Sequence, residues 1–311
     1  MLQPPGLNRV VFCSPYIPPE WIRAHGLEPL RLDVPHSGLT GGAIAETAGV
    51  CPFMRAFANE AARLPGVAGI VAASTCDQMR RIGDAVAPDA FPPLVVLHIP
   101  NVVDSSAAFG LYVDELRRLG RFMIGLGGHP PADDAFRTIM LEADAQRASL
   151  LASGREPKAP SHAGPRRPSL ALVTGHLLGQ TGWIREMIES LGGDITLDAS
   201  EYGDRCRPLR LDRRRLSTED PLTELAHIYY GAMRDIFRRP NREFYVWLTG
   251  QMRRTPVDGV VAIRHTWCDK WHAEIKRIRG LIEVPVLELE CAGGVCETSI
   301  RNRLEAFMEA L

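Results

Sequence analysis

The chain has 311 residues, enough for two domains of ordinary size that each bury a core, and its 45% hydrophobic and 23% charged residues are those of a soluble globular protein. A formal net charge of -1 removes any global attraction to nucleic acid or to an anionic membrane, so partners have to be read from local features. The first residues lack the basic start and long apolar run of a secretory signal, and no segment has the uninterrupted length of a membrane span, so a cytoplasmic enzyme is expected.

Arg9 to Cys13 reads as a strand, and Pro18-Pro19-Glu20 opens a helix through Trp21 and Ile22 that stops at Gly26. Leu30 to Leu32 reads as a second strand. A loop of glycine and small residues from His36 to Gly49 leads to a helix opened by Cys51 and Pro52, with Phe53, Met54, Phe57 and Ala61 at helical spacing. Val67-Ala68-Gly69-Ile70-Val71-Ala72 then reads as a buried strand running into Thr75-Cys76-Asp77 and a helix. The strand Leu94 to Ile99, the helix Ala107 to Leu119 and an amphipathic segment from Asp133 to Leu151 complete an alternating α/β pattern.

Ser153 to Pro168 collects proline, glycine and basic residues and is the predicted linker between an N-terminal α/β domain, 1–152, and a C-terminal one, 169–311. Beyond it, Ser169 to Thr174 is a strand and Gly175 to Gly182 a small-residue loop. Trp183 to Leu191 is a helix, and Asp194 to Leu197 a strand. A basic, poorly periodic stretch from Arg205 to Arg215 precedes helical runs over 222–237 and 244–252. Val257-Asp258-Gly259-Val260-Val261-Ala262 then repeats the earlier phrase and runs into Thr266-Trp267-Cys268-Asp269. A helix, the strand Val284 to Leu289 and a closing helix from Thr298 to Leu311 complete the chain.

Two cysteines therefore stand at equivalent strand ends in two halves, where open α/β sheets gather their ligands. Seven cysteines in a chain read as cytosolic argue for packing, metal binding or chemistry rather than disulfides. No pair has CxxC spacing; the nearest approach is Cys291 and Cys296. Taken singly, each cysteine also fits a small buried hydrophobe. As a set, Cys51, Cys76 and Cys268 each open a helix, where free amides and the helix dipole favour thiolate, the form that binds soft metals and iron-sulfur clusters. Asp77 and Asp269 are predicted to cap their helices. Ser14 is a candidate fourth ligand or substrate contact with a turn role as the alternative, and His265 is a candidate donor or proton carrier. Gly175-His176-Leu177-Leu178-Gly179 has the glycines of a phosphate-cradling turn but no Walker lysine, and Arg205, Arg207 and Arg210 offer either anion contacts or a solvated basic loop.

Cys51-Pro52-Phe53, Thr75-Cys76-Asp77-Gln78-Met79-Arg80-Arg81, Val257 to Val260 with Cys268-Asp269, and Thr298-x-Ile300-Arg301 with Leu304-Glu305-Ala306-Phe307 occur in that order. With Pro18 to Ile22 and Gly26 to Pro29, they resemble the catalytic component of the 2-hydroxyacyl-CoA dehydratases and the related ATP-dependent benzoyl-CoA reductases along nearly the whole chain. The resemblance implies two flavodoxin-like, doubly wound domains with mostly parallel sheets and a [4Fe-4S] cluster between them, held by Cys51, Cys76 and Cys268. It implies a lyase or an oxidoreductase of anaerobic metabolism. A separate ATP-hydrolysing iron-sulfur activator would supply one low-potential electron, an acyl-CoA thioester would be the substrate, and a related second subunit would complete a homo- or heterodimer. Neither nucleic acid nor membrane is implied. Glu201 stands where the family leads us to expect a cysteine. Cys291 and Cys296 are possible extra ligands, as in the branch that carries a double-cubane [8Fe-9S] cluster and reduces small molecules. A non-catalytic accessory or electron-transfer subunit of the same fold is the remaining alternative.

Overall fold

Apolar β-branched runs alternate with amphipathic stretches along the chain, and runs of that kind pair in parallel when helices cover both faces of the sheet. In the computed structural model, which describes Gly6 and residues 8–44, 49–86, 91–102, 104–153, 166–292 and 297–311, they form two four-stranded parallel sheets. The predicted linker lies almost wholly outside the described residues.

The first sheet has β1 (Arg9–Phe12), β2 (Glu28–Arg31), β3 (Val67–Ala73) and β4 (Leu94–Leu97), in the order β2-β1-β3-β4. Around it lie α1 (Pro19–Ala24), α2 (Pro52–Arg63), α3 (Asp77–Arg80), α4 (Ser106–Gly125) and α5 (Asp133–Ser153). The second sheet has β5 (Ser169–Thr174), β6 (Asp194–Ala199), β7 (Gly259–His265) and β8 (Val286–Cys291), in the order β6-β5-β7-β8. Its helices are α6 (Gly182–Ser190), α7 (Arg213–Thr218), α8 (Pro221–Tyr230), α9 (Arg242–Arg254), α10 (Asp269–Leu281) and α11 (Glu297–Glu309). The two orders are the same flavodoxin-like winding used twice. In each sheet the winding reverses beside the repeated strand, between β1 and β3 and between β5 and β7, and ligands collect outside the strand ends at such switch points.

Every residue of β3 is buried, as are all but Arg264 of β7, which fits their unbroken apolar runs. The halves also share a core. Leu222, Leu225, Ala226 and Tyr229 of α8 pack into the cluster built on α4 and β1, and Tyr230 stacks on Tyr112 at 5.1 Å. Tyr229 Oη donates to the buried carboxylate of Glu20 at 2.7 Å, and Arg210 grips Asp144 of α5 with two bonds of 2.8 Å.

The helical run predicted over 222–237 ends at Tyr230. Beyond it, side chains compete for the backbone: Arg238 Nη1 donates to the Tyr230 carbonyl at 2.7 Å, and Asp235 Oδ1 accepts from the Phe237 amide at 3.2 Å. The basic stretch holds the short helix α7, capped by Asp212, whose carboxylate accepts from the amides of Arg214 and Arg215. Among the described residues no helix is long and apolar enough to cross a membrane.

Candidate functional site

β3 and β7 each end three residues before a cysteine, and that cysteine is the N-cap of the next helix, Cys76 for α3 and Cys268 for α10. Cys51 is the N-cap of α2, whose first position is Pro52. These helix starts face one cavity of about 130 Å³ between the two halves, and all three cysteines line it. Gln78 ties two of them together: its Oε1 accepts from the Cys51 amide at 3.1 Å and its Nε2 donates to the Gly49 carbonyl at 3.0 Å. Lys270 of α10 reaches across to donate to the Thr75 carbonyl, so the second half also holds the loop that carries Cys76.

None of the three cysteines caps its helix with a side-chain oxygen, and the free amides turn to sulfur instead. Cys51 accepts from Met54 and Phe53, Cys76 from Met79 and Gln78, and Cys268 from Trp271. Burial nevertheless outweighs these amides. It pushes the Cys51 thiol up to about 11 and Cys268 to about 12, and raises Cys76 as well. The helix-start effect expected from sequence is present and is overcome by desolvation. Each thiolate would also repel the others, since Cys268 feels Cys51 and Cys76. Three such thiols with amides already aimed at them are a donor set for a thiophilic group whose positive charge replaces the protons. Among the described residues, no three His, Cys, Asp or Glu side chains converge on a single ion. The set therefore suits a group large enough to bridge sulfurs around a cavity.

The wall supplied by the second half is ionic. His176, just past β5, stacks on Phe53 with ring centroids 4.5 Å apart and places Nδ1 2.8 Å from Glu201 Oε2, close enough for an ion pair although not aligned for a hydrogen bond. Burial alone would raise the Glu201 carboxyl, but His176 and Arg205 outweigh it and hold it at about 2. Arg205 is wholly buried, lies 3.6 Å from Asp235 and 3.9 Å from Glu201, and donates to the carbonyls of Ala199 and Thr174. His265, the last residue of β7, lines the cavity with neither ring nitrogen in an aligned hydrogen bond, and burial lowers its pKa to about 4, so it is neutral.

Other predicted residues lie elsewhere or act differently. Ser14 is buried after β1 and its Oγ accepts from the Tyr16 amide at 3.3 Å, the turn role; it is not among the residues lining the cavity. Cys291 ends β8 opposite His265 and lines a smaller neighbouring cavity with His36 and Trp183, while Cys296 lies outside the described residues. Asp77 and Asp269 are first helical residues rather than caps, because the cysteines hold the cap positions. At the Gly175 turn a Cβ would meet Trp271 Nε1 at 2.3 Å, so the tryptophan packs directly against the glycine backbone. Of the three arginines only Arg205 is buried; Arg207 and Arg210 are solvated, with side chains more than half exposed, and pair with Asp204 at 2.8 Å and with Asp144. The pairing of His176 with Glu201 escapes a reading of the sequence, although both positions stand out there, one within the glycine turn and one in place of a cysteine. Two separate strand ends meet there only once the sheet is folded.

Two parallel sheets that present three helix-capping thiols to a shared cavity define a two-fold α/β protein built around a sulfur-lined cleft. The family model described as 2-hydroxyglutaryl-CoA dehydratase, D-component, matches residues 14–162 and again 150–311, and the chain belongs to that family. No individual curated protein matches it.

Proposed function

We propose that this chain is the iron-sulfur subunit of an enzyme of the 2-hydroxyacyl-CoA dehydratase or benzoyl-CoA reductase type, acting on an acyl-CoA thioester. Cys51, Cys76 and Cys268 would hold a [4Fe-4S] cluster at the cavity. The observation that carries this reading is that three cysteines from separate helix starts line one cavity with backbone amides turned to their sulfurs. When bound, a cluster with three protein thiolates supplies single-electron transfer and one iron open to a substrate oxygen.

The protein's own contribution is to bury the sulfurs, exclude water and hold protons. Phe53, Met54, Phe237 and Trp271 form the apolar part of the wall and keep solvent out. His176 places Nδ1 against Glu201 within the cavity wall. His265, neutral and without aligned partners, has a ring nitrogen to donate to a thioester carbonyl. Partners in this reading are an ATP-hydrolysing iron-sulfur activator and a related second subunit.

Purification without oxygen should yield about four iron atoms and as many acid-labile sulfides per chain, whereas a double-cubane protein would yield about eight irons. A fully folded protein with neither iron nor sulfide would refute the reading.

A further inference from the structure

Among the described residues, the cavity has one cationic side chain that no carboxylate pairs with. Arg264 donates to Glu288 at 2.8 Å and to Glu290 at 2.6 Å, and His176 faces Glu201. Lys270 lines the same cavity, partly buried. Its ammonium donates to the Thr75 carbonyl and lies 4.7 Å from the centre of the Phe237 ring, a dipole and a ring face that hold the group without cancelling its charge. Lys270 stands two residues beyond Cys268 on α10, and the carbonyl it grips belongs to the residue before Cys76. One ammonium thus spans the loops of two thiols from opposite halves. Burial raises the Cys76 thiol, and after the amides of Met79 and Gln78 the charge of Lys270 opposes it most. The lining carboxylates offset little of that charge. Glu201 and Asp235 are held by Arg205, while Asp77 pairs with Arg80 at 3.7 Å and, like Asp269, is exposed to screening by solvent.

We propose that Lys270 is a positioning residue for the sulfur site: it ties the Cys76 and Cys268 loops across the cleft, and its charge makes a cluster held there easier to reduce. The inference rests on the iron-sulfur reading above and adds to it a residue that sets the potential. Three thiolates bring an excess of negative charge to a [4Fe-4S] core, and a further electron adds to that excess. A fixed cation beside the sulfurs therefore favours the reduced form, since net charge is among the quantities that set such potentials.

The test is a potentiometric titration of the holoprotein, prepared without oxygen, with the reduced cluster read by electron paramagnetic resonance. Titanium(III) citrate is the reductant: each Ti(III) gives one electron to one cluster and becomes Ti(IV). Lys270→Gln keeps a donor for the Thr75 carbonyl and drops the charge, Lys270→Met drops both, and Lys270→Arg keeps both. K270Q and K270M should each make reduction about ten-fold less favourable, a midpoint about 59 mV more negative, and K270R should stay near the unaltered protein. A purely mechanical tie would leave K270Q with the unaltered midpoint. That result, or K270R shifted as far as K270M, overturns the inference and leaves the iron-sulfur reading standing. Iron retained by K270R and lost from both K270Q and K270M upholds it, since the charge is then needed to hold the cluster at all. Iron lost from all three variants counts against it, because a positive charge then does not suffice. A folded, unaltered protein without iron removes the cluster and the inference together.

Discussion

The two strand-to-cysteine units differ more in sequence than in what they achieve. From Gly69 to Cys76 the chain advances seven residues, and from Gly259 to Cys268 nine. β3 starts two residues before its glycine and β7 starts at its glycine, so each strand still ends three residues short of its cysteine. The strand end, rather than the repeated phrase, sets where the sulfur stands. Past the cysteines the units diverge. The first leads into a four-residue helix, the second into a thirteen-residue one. The second also carries Trp267 at φ 67, a left-handed conformation that costs a bulky residue about 1–2 kcal/mol and aims its ring at the cavity rim. The last strand residue is Ala73 in one unit and His265 in the other. The first half thus supplies two thiols with Phe53 and Met54, the second one thiol, the rings of Phe237, Trp267 and Trp271, and the buried charges.

The largest effect should come from breaking the equivalence at sulfur. Cys76→Ala and Cys268→Ala should each remove nearly all bound iron, read by colorimetric iron assay and visible absorption, with activity lost in parallel. A full cluster in either variant would show that the two units are not equivalent ligand donors. Next in size is Arg205→Met, which acts on the charged wall alone. It leaves Asp235 and Glu201 buried without their guanidinium and should cost about 3–5 kcal/mol in urea unfolding.

His265 sharpens the contrast between the strand ends. Burial lowers its folded pKa from 6.5 to about 4, so the unfolded chain takes up a proton before the folded one does. Stability contributed by the neutral ring is complete above about pH 6.5, falls as the pH drops toward 4, and levels off below that. The full loss is about 3 kcal/mol at 1.36 kcal/mol per pKa unit. His265→Ala, which gives the second unit the residue of the first, should flatten the stability profile in this window. Urea midpoints measured from pH 8 to 4 decide it, and an unchanged slope would mean that the ring is not held neutral by burial.

Much of this was legible in the chain itself. The strands were, because buried parallel strands are unbroken β-branched runs, and so was the set of Cys51, Cys76 and Cys268, because each begins a helix. The thiols' response to burial was not, since a helix start is local and desolvation depends on what packs above it. His176 and Glu201 stayed hidden for a related reason: they come after β5 and β6, and only the parallel pairing of those strands sets the two side by side. The end of α8 at Tyr230 depended on Arg238, eight residues beyond it, turning back to the backbone.

The smallest predicted effect concerns the glycine that both phrases share. A Cβ on Gly69 would meet Leu126 Cδ1 at 2.5 Å and Phe122 Cζ at 3.1 Å, and one on Gly259 would meet Phe307 Cζ at 2.8 Å and Leu311 Cδ1 at 3.2 Å. In both units, then, a phenylalanine and a leucine four residues apart close over the strand at the glycine, one pair at the end of α4 and the other at the end of α11. Neither glycine has a positive φ, so alanine is barred by packing and not by backbone. Overpacking of this kind costs about 1–3 kcal/mol, less the roughly 0.5–1 kcal/mol that alanine recovers over glycine within a strand. Gly259→Ala should cost more than Gly69→Ala, because the closest atom belongs to a rigid ring in one case and to a rotatable methyl in the other. Phe307→Leu combined with Gly259→Ala should recover part of the loss in a double-mutant cycle. Strict additivity would mean that the ring and the strand do not meet, and that the shared glycine has a different cause in each half.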